Sequence, residues 1–451
     1  MKEKTVYICQ SCGNKSPKWL GRCNICGAWD SYVEEVIRST SVKQSRQTKQ
    51  KVELITLSSV SSDKEYRIKT GISELDRVLG GGIIPGSLVL VGGDPGIGKS
   101  TLMLQMCSGL KDYSPLYVTG EESLQQIKYR SQRLKGIPGE LKLLAETSIE
   151  QINSAIQMSD SGIAIVDSIQ AVYSEMVDAA PGSIVQVREC AALLMQTAKQ
   201  TNKPVFIVGH VTKEGIIAGP KLLEHMVDTV LQFEGDKTYS FRILRAFKNR
   251  FGSTNEIGIF EMEESGLREV LNPSEIFISH RAQDESGIAI VAAIEGTRPI
   301  LLEVQALVTP SNYGVPQRTS NGLDIRRLQM ILAVLEKRLG LRFSQNDIFV
   351  NVAGGIYLND PAVDLGVAAA LVSSLKNEPL SMNTVFIGEI GLTGEVRGVS
   401  HLEQRISESA KLGFDKIILP KTGLKKNYQS FNIELLPIER VSFALSDFLQ
   451  R

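Results

Sequence analysis

Apolar runs of strand length alternate with helical patterns from about residue 69 to residue 233. The clearest strand-like runs are SLVLVGG, PLYVTGEES, GIAIVDSIQAV and KPVFIVGHV, and the clearest helical segment is STLMLQMCSGL. Strands that alternate with helices build βαβ units and a mostly parallel sheet. The pattern therefore predicts an α/β domain with a mostly parallel sheet over this stretch.

The pattern changes after Phe233, where shorter, hairpin-like strands are expected, and it breaks near Asn272-Pro273. Beyond the break, SGIAIVAAIEG and PILLEVQALV have the pattern of strands. The segment DIRRLQMILAVLEKRLG has the pattern of an amphipathic helix. Its predicted apolar face consists of Ile325, Leu328, Ile331, Leu332, Leu335 and Leu339.

Composition limits the class of protein. The 451 residues include 50 Lys and Arg and 50 Asp and Glu, so the formal net charge is zero, which excludes a small, uniformly basic protein that coats nucleic acid. The chain contains no run of 18 apolar residues, and its start, MKEKTVYICQSC, lacks the apolar core of a signal peptide. We therefore expect a cytoplasmic protein that does not associate with membranes.

The neutral total conceals a basic start. Residues 1–51 hold ten Lys and Arg against four Asp and Glu. Within them, Arg38 to Lys51 carries five basic residues and no acid, and it is rich in Ser, Thr and Gln. Such a segment cannot bury a core, so it predicts a flexible basic linker. It serves either as a plain tether or as a contact for phosphate backbones.

The first four cysteines have the spacing of a metal site. Cys9 and Cys12 form one CxxC pair, and Cys23 and Cys26 form another after ten intervening residues. Two such pairs supply the four thiolates of a tetrahedral, structural Zn²⁺ site, and a module this small needs metal binding in order to fold. A redox dithiol is the alternative, but it requires only one pair. The remaining cysteines, Cys107 and Cys190, are expected to be core residues.

A phosphate-binding loop follows the first strand of the α/β pattern. The segment from Gly93 to Ser100, GDPGIGKS, matches GxxxxGK[ST] between a predicted strand and a predicted helix. Backbone N–H groups and the helix start would surround the phosphates of ATP, Lys99 would reach the β- and γ-phosphates, and Ser100 would ligate Mg²⁺. The predicted nucleotide-binding residues are Gly93, Asp94, Pro95, Gly96, Ile97, Gly98, Lys99, Ser100 and Thr101.

Polar residues at the ends of three other strands complete the candidate site. Asp167 follows Ile163 to Val166, where a carboxylate holds Mg²⁺ through water. Glu121 follows Leu116 to Thr119, where a carboxylate orients and deprotonates the attacking water. Glu122 is expected to point into solvent. His210 ends a further strand and either senses the γ-phosphate or is simply hydrogen-bonded.

Three sets of residues carry a resemblance to known families. The segments TGISELDRVLGGGIIPGSLVLVGGDPGIGKSTL, YVTGEES and IVDSIQ resemble the RecA-type ATPase core. The cysteine segment CQSCGNKSPKWLGRCNICGAW and the motif KNRFG at residues 248–252 resemble the bacterial RadA (Sms) family of DNA repair proteins, over essentially the whole chain. The resemblance implies a RecA-like core that follows a zinc module.

In RecA-like rings ATP lies between subunits, and a neighbour supplies positive charge to the γ-phosphate. The resemblance implies this role for Lys248 and Arg250, at a turn with both cations at its tip; DNA contact is the competing role. The segment Thr212 to Pro220, which contains Lys213 and two glycines, matches the position of a RecA DNA-binding loop.

The C-terminal part, from about Ser274, resembles the proteolytic domain of Lon through NDPAVDLGVAAAL and GEIGLTGEVRGVSHLEQRISESAKLGF. Such proteases use a serine that a lysine activates. The resemblance places Asp364 at the serine position and Glu403 at the lysine position, so a non-proteolytic scaffold is expected. The candidates for a basic pore lining are Arg298, Arg318, Arg326 and Arg327.

Together these features predict four parts: a C4 zinc finger at 1–35, a basic linker at 36–66, a RecA-like ATPase domain at 67–271 and a Lon-like α+β domain at 272–451. The resemblance implies a homohexameric, DNA-dependent ATPase that uses Mg²⁺ with ATP. It further implies action on single-stranded DNA and branched recombination intermediates, beside a RecA-type recombinase, in branch migration and at stalled forks. An ATP-dependent protease and a signalling ATPase that never touches DNA are the alternatives.

Overall fold

The structure, a computed structural model, describes residues 3–9, 14–25, 27, 29, 31–38, 56, 66–209, 220–235, 241–278, 285–311, 314–425, 428 and 431–442. The chain divides into two compact units. The first comprises residues 1–234 and 242–269, and the second comprises residues 235–241 and 270–451.

The start of the first unit forms a small antiparallel sheet. Its strands are β1 (Glu3–Cys9), β2 (Lys15–Ser16) and β3 (Tyr32–Arg38), in the order β2-β1-β3. Cys9, Cys23 and Tyr32 are buried together beside this sheet. The cluster brings one cysteine from each CxxC pair to the same place.

A large sheet carries the rest of the first unit, in the order β12-β11-β10-β9-β4-β8-β7-β5-β6. The strands β4 to β9 run parallel to one another, whereas β10 is antiparallel to β9. The strands are β4 (Leu88–Gly92), β5 (Leu116–Thr119), β6 (Lys142–Ala145), β7 (Ala164–Asp167), β8 (Val205–Val208), β9 (Thr229–Glu234), β10 (Phe241–Asn249), β11 (Ile257–Glu263) and β12 (Gly266–Glu269).

Alternate residues of the buried strands face two separate cores. On β4, Val89 and Val91 belong to one core, and Leu88 and Leu90 belong to the other. The helices α1, α2 and α3 contribute to the first core and α4, α5 and α6 to the second, so helices cover both faces of the sheet. The helices are α1 (Ser73–Val78), α2 (Lys99–Gly109), α3 (Leu124–Arg133), α4 (Ile149–Met158), α5 (Ile184–Thr201) and α6 (Pro220–Met226).

The short strands expected after Phe233 are present, and they belong to the same sheet as the parallel strands. β10, β11 and β12 extend the large sheet as its antiparallel edge. The reason is that β10 pairs directly with β9, so the hairpins continue a hydrogen-bonded edge that is already formed.

The second unit is a mixed sheet with helices, in the strand order β15-β16-β14-β13-β17-β20-β21. Its core includes Ile290, Leu301, Val385, Ile406 and Ile417. The elements are α7 (Pro273–Phe277), β13 (Ile288–Glu295), β14 (Arg298–Pro310), β15 (Arg318–Asn321), α8 (Ile325–Leu339), β16 (Asn346–Val352), α9 (Asp364–Lys376), β17 (Thr384–Phe386), β18 (Glu389–Ile390), β19 (Val396–Arg397), α10 (Leu402–Lys411), β20 (Lys416–Pro420) and β21 (Glu434–Ile438).

The predicted strands and the amphipathic helix of this unit are confirmed as β13, β14 and α8. The buried face of α8 differs from the predicted apolar face at the start and in the middle of the helix. Ile325 is 37% exposed because it is the first residue of the helix, directly after its cap at Asp324. Val334 is buried instead, so the buried stripe is wider than the predicted one.

Candidate functional site

The phosphate loop connects the end of β4 to the start of α2. Its glycines adopt positive φ angles, including +80° at Gly96 and +117° at Gly98. A Cβ atom on Gly98 would lie 2.8 Å from the Met262 side chain, whereas one on Gly96 would meet nothing within 4 Å. The loop is therefore packed against the protein at Gly98 and open at Gly96, as a cradle for an anion must be.

Lys99 lies inside this loop. It is 4% exposed, and its ammonium group donates 2.8 Å hydrogen bonds to the carbonyls of Gly93 and Asp94. Burial lowers the pKa of Lys99 to about 8, against the opposing effect of nearby carboxylates, chiefly Asp167. The side chain is thus a buried cation placed where negative charge would stabilise it.

Asp167 and Glu121 reach the same edge of the sheet from neighbouring strands. Asp167 ends β7 and pairs in register with Thr119 of β5, so both carboxylates follow the carboxyl ends of parallel strands. The hydroxyl of Tyr117 donates a 2.5 Å hydrogen bond to Asp167. The hydroxyl of Ser168 donates to the Glu121 carboxylate. These bonds hold the two acids beside the phosphate loop.

Sequence reasoning missed the two hydroxyl donors. Ser168 directly follows Asp167 in the sequence, and this position next to a candidate site residue could have identified it. Tyr117 lies inside a buried strand and gave none. The prediction for Glu122 was wrong, because its carboxylate is partly buried and forms an ion pair with Arg130 of α3.

The metal module positions the sulfur atoms of two cysteines. Cys9 and Cys23 are both buried, and the hydroxyl of Tyr32 donates a 3.5 Å hydrogen bond to the Cys23 sulfur. Thiolates clustered in a module this small fit a structural metal ion. The other two predicted ligands, Cys12 and Cys26, lie outside the described residues.

The KNRFG segment lies toward the amino end of β4, whereas the phosphate loop follows the carboxyl end of that strand. Lys248 pairs with Val230 near the start of β9, and β9 runs parallel to β4. Through Val230, Lys248 is level with Leu90 of β4, whereas the phosphate loop follows Gly92 at the carboxyl end of that strand. Arg250 lies further from the loop, because its N–H donates to the carbonyl of Asp228, whose own N–H donates to the carbonyl of Leu88. Lys248 was expected at the tip of a turn; it lies within the strand because its pairing with β9 continues to Asn249.

Both cations of the segment have partners in their own chain. The ammonium group of Lys248 donates hydrogen bonds to the carbonyls of Glu224 at 2.6 Å and Val227 at 2.8 Å, at the C-terminal end of α6. Arg250 forms a 3.3 Å ion pair with the buried Asp228, while half of its side chain is exposed. His210 and the segment 212–219 lie outside the described residues, and Pro220 begins α6.

Three segments of the chain match known protein families. Residues 68–141 match the ATPase family described as KaiC, and residues 7–34 match the family described as rubredoxin metal binding domain. Residues 325–423 match the family described as subunit ChlI of Mg-chelatase.

Relatives match over the full length. The DNA repair protein RadA of Bacillus subtilis is 52% identical over 98% of both chains. The DNA repair protein RadA of Halalkalibacterium halodurans is 52% identical over 100% of both chains. The chain belongs to the RadA family of DNA repair proteins. A crystal structure of the RadB recombinase, 24% identical, covers 45% of this chain and 99% of its own, with a TM-score of 0.37.

Membership of the RadA family agrees with the architecture on three points. The metal module, the RecA-like ATPase core and a separate C-terminal unit follow one another along the chain. The chain is therefore an ATPase of the RecA-like class in a family of DNA repair proteins. Among the helices that the structure describes, none has the length and apolarity needed to span a bilayer.

Asp364, at the start of α9 in the C-terminal unit, is fully buried. Arg327 holds both of its carboxylate oxygens, with a 2.9 Å bond from Nε and a second bond from Nη2. The backbone N–H of Ile390 donates a further bond at 3.0 Å. Burial raises the pKa of Asp364, and the hydrogen bond from Arg327 opposes that rise. Asp364 is thus the buried half of an ion pair with Arg327, whose side chain is 26% exposed.

Glu403 lies elsewhere on the C-terminal unit. It is exposed on α10 and lines an open cavity of about 750 Å³ with His401 and Lys425, and Asp364 is not among the lining residues. Among the candidates for a basic pore lining, Arg327 forms an ion pair with Asp364 and keeps 26% of its side chain exposed.

The other three arginines of that set also have intramolecular contacts. Arg326 is 84% exposed beside Asp324, Arg318 donates to the carbonyl of Phe343, and Arg298 donates to that of Leu271. Cys107 and Cys190 are core residues, as expected, and burial raises the pKa of each thiol to about 12.

Proposed function

We propose that this protein is a DNA-dependent ATPase that acts as a homohexameric ring in homologous recombination, promoting branch migration and the processing of stalled forks beside a RecA-type recombinase. The observation that carries the proposal is the separation of Arg250 from the phosphate loop of its own chain, at opposite ends of β4. A cation at that edge reaches a γ-phosphate only in a neighbouring subunit, and such an arrangement couples hydrolysis to movement between subunits.

The proposed chemistry uses residues around the phosphate loop. Water attacks the γ-phosphorus, Glu121 accepts its proton, and the bond from the γ-phosphorus to the bridging oxygen breaks to release ADP and phosphate. Lys99 and the loop N–H groups stabilise the charge that develops on the phosphate oxygens. Ser100 and, through water, Asp167 would hold Mg²⁺, which neutralises charge on the β- and γ-phosphates when bound.

Lys248 and Arg250 are proposed to serve the neighbour's nucleotide in different ways. Arg250 is half exposed and is proposed to contact the γ-phosphate across the interface. Lys248 holds the end of α6, the helix that follows the proposed DNA loop at 212–220. A displacement of this segment on hydrolysis would therefore be passed to the DNA loop.

The metal module is proposed to hold structural Zn²⁺ through Cys9, Cys12, Cys23 and Cys26. The C-terminal unit is proposed to be a scaffold without protease activity. The Arg327 clamp on Asp364 supports this, because an ion-paired carboxylate is no substitute for an activated serine. One zinc per chain by elemental analysis, and intact casein after incubation with ATP, are the expected results.

The central test compares wild type with Lys99→Ala. Wild type is expected to hydrolyse ATP faster when single-stranded DNA is added, to lose that stimulation as salt rises, and to migrate branches with and without a recombinase filament. Lys99→Ala is expected to lose at least a hundredfold in kcat. Lys111→Ala, a change of an exposed lysine beyond the end of α2, is the matched control. Hydrolysis that DNA and salt leave unchanged would instead favour a signalling ATPase.

A further inference from the structure

The exposed aromatic residues of the metal module are the feature that the ATPase chemistry leaves unexplained. The chain has two tryptophans, Trp19 and Trp29, and both lie in this module. Trp19 is 52% exposed and Trp29 is 72% exposed, and the neighbouring Ile25 is also 72% exposed. Large side chains left in solvent on a small module mark a surface that binds something.

Both indole rings are held in place by the module. The Nε1–H of Trp19 donates a 3.1 Å hydrogen bond to the carbonyl of Tyr32, which fixes the polar edge of the ring and leaves the ring exposed. The backbone of Trp29 pairs with that of Arg22. The Arg22 guanidinium lies 5.5 Å from the centre of the Trp29 ring, a cation–π contact, and its Nε–H donates to the carbonyl of Gly27 at 3.1 Å. The aromatic surface is therefore arranged before any ligand binds.

The cations beside these rings, and those that follow the module in the sequence, point to the class of partner. Lys18 and Arg22 are exposed beside them. The strand β3 ends at Arg38, where the segment up to Lys51 begins with its five basic residues and no acid. Exposed aromatic rings interleaved with cations are the surface that single-stranded nucleic acid recognises, because bases stack on the rings and phosphates meet the cations. A duplex keeps its base faces inside the stack and offers nothing to these rings.

We propose that Trp19 and Trp29 stack on unpaired DNA bases, with Arg22 and Lys18 at the phosphate backbone. The metal module then holds the single strand that the ATPase ring acts on. This inference rests on the proposed function only in taking DNA as the partner.

The first test uses the two tryptophans as their own reporters. In the zinc-loaded full-length protein with a non-hydrolysable ATP analogue, oligo(dT) is expected to quench tryptophan fluorescence in a saturable way, because stacked thymines quench indole emission. Duplex DNA of the same length is expected to quench much less. Fluorescence that oligo(dT) leaves unchanged would overturn the proposal.

The second test measures the affinity for labelled oligo(dT) by anisotropy. Trp29→Ala is expected to weaken binding about tenfold, and Trp29→Phe, which keeps an aromatic face, to stay within about threefold of wild type. Val33→Ala removes an exposed apolar side chain from the same module and is expected to leave the affinity unchanged. A Trp29→Ala variant that binds like wild type would overturn the proposal and point to a protein partner for this surface.

Two controls keep the outcomes separate. The zinc content of each variant is measured; if Trp29→Ala loses its metal, the quenching experiment on wild type decides the question. Wild-type protein that fails to bind any DNA would contradict the proposed function as a whole. Normal DNA binding with unaffected tryptophans would contradict this inference alone.

Discussion

The ammonium group of Lys248 donates a 2.6 Å hydrogen bond to the main-chain carbonyl of Glu224, at the C-terminal end of α6. A cation at the end of a helix interacts favourably with the carbonyls that have no partner within the helix. Lys248 therefore joins the KNRFG segment to the helix that follows the proposed DNA loop.

Replacement of Lys248 by alanine is expected to impair ATP hydrolysis and branch migration while leaving ATP binding nearly intact. The variant should assemble and bind ATP within about threefold of wild type, but lose at least tenfold in DNA-stimulated hydrolysis and in branch migration, because charged hydrogen bonds to α6 are lost. The control is Arg245→Ala. Arg245 lies on β10 like Lys248 but forms an ion pair with Glu234 of β9, so this variant should retain both activities. Unimpaired branch migration by Lys248→Ala would dismiss the role.

Ser168 is expected to position Glu121 for proton transfer. Ser168→Ala should lower kcat about tenfold with KM within about twofold, since the hydroxyl orients the carboxylate and does not bind the nucleotide. Ser154→Ala, a change of an exposed serine on α4, should leave both constants unchanged. A Ser168→Ala variant with the kcat of wild type, or one that changes KM alone, would contradict the positioning role.

The lowered pKa of Lys99 predicts a pH-dependent affinity for ATP. Burial brings this pKa to about 8, so the amine of the free protein is charged below pH 8 and increasingly neutral above it. Phosphates favour the charged form, so ATP binding above pH 8 should take up a proton, and the affinity should fall as pH rises further. Titration calorimetry in two buffers of different ionisation enthalpy measures the proton uptake. Lys99→Arg, whose side chain stays charged, should show none, and equal uptake in both proteins would refute the assignment.

The ion pair between Arg327 and Asp364 predicts that two neighbouring arginines contribute very differently to the stability of the second unit. Arg327→Ala should destabilise the second unit by about 3 kcal/mol, because it leaves the fully buried Asp364 carboxylate without its cation. Arg326→Ala should cost less than about 1 kcal/mol, since Arg326 is 84% exposed. Urea unfolding, followed through hydrogen exchange of the α9 amides, compares the two variants. Equal destabilisation would show that the pair is not what holds α9.

Much of the fold and the phosphate loop was predictable because their signals are local. The alternation of apolar runs with helical segments predicted the parallel strands, and β4 and α2 flank the loop as expected. The glycines and Lys99 lie within eight consecutive residues, so their motif needs no knowledge of distant contacts. The end of each strand likewise predicted that Asp167 and Glu121 would share one edge of the sheet.

The partners of these residues were decided only by tertiary structure. Lys248 meets Glu224, and Arg327 meets Asp364, because strand register and helix packing bring together positions 24 and 37 residues apart. The strands β10 to β12 join the large sheet for the same reason, since β9 offers a free edge that no local pattern describes. By itself the sequence determined which elements form and which chemical groups they carry. The packing of those elements determined which groups are buried and paired, because desolvation and hydrogen bonding depend on neighbours that are distant along the chain.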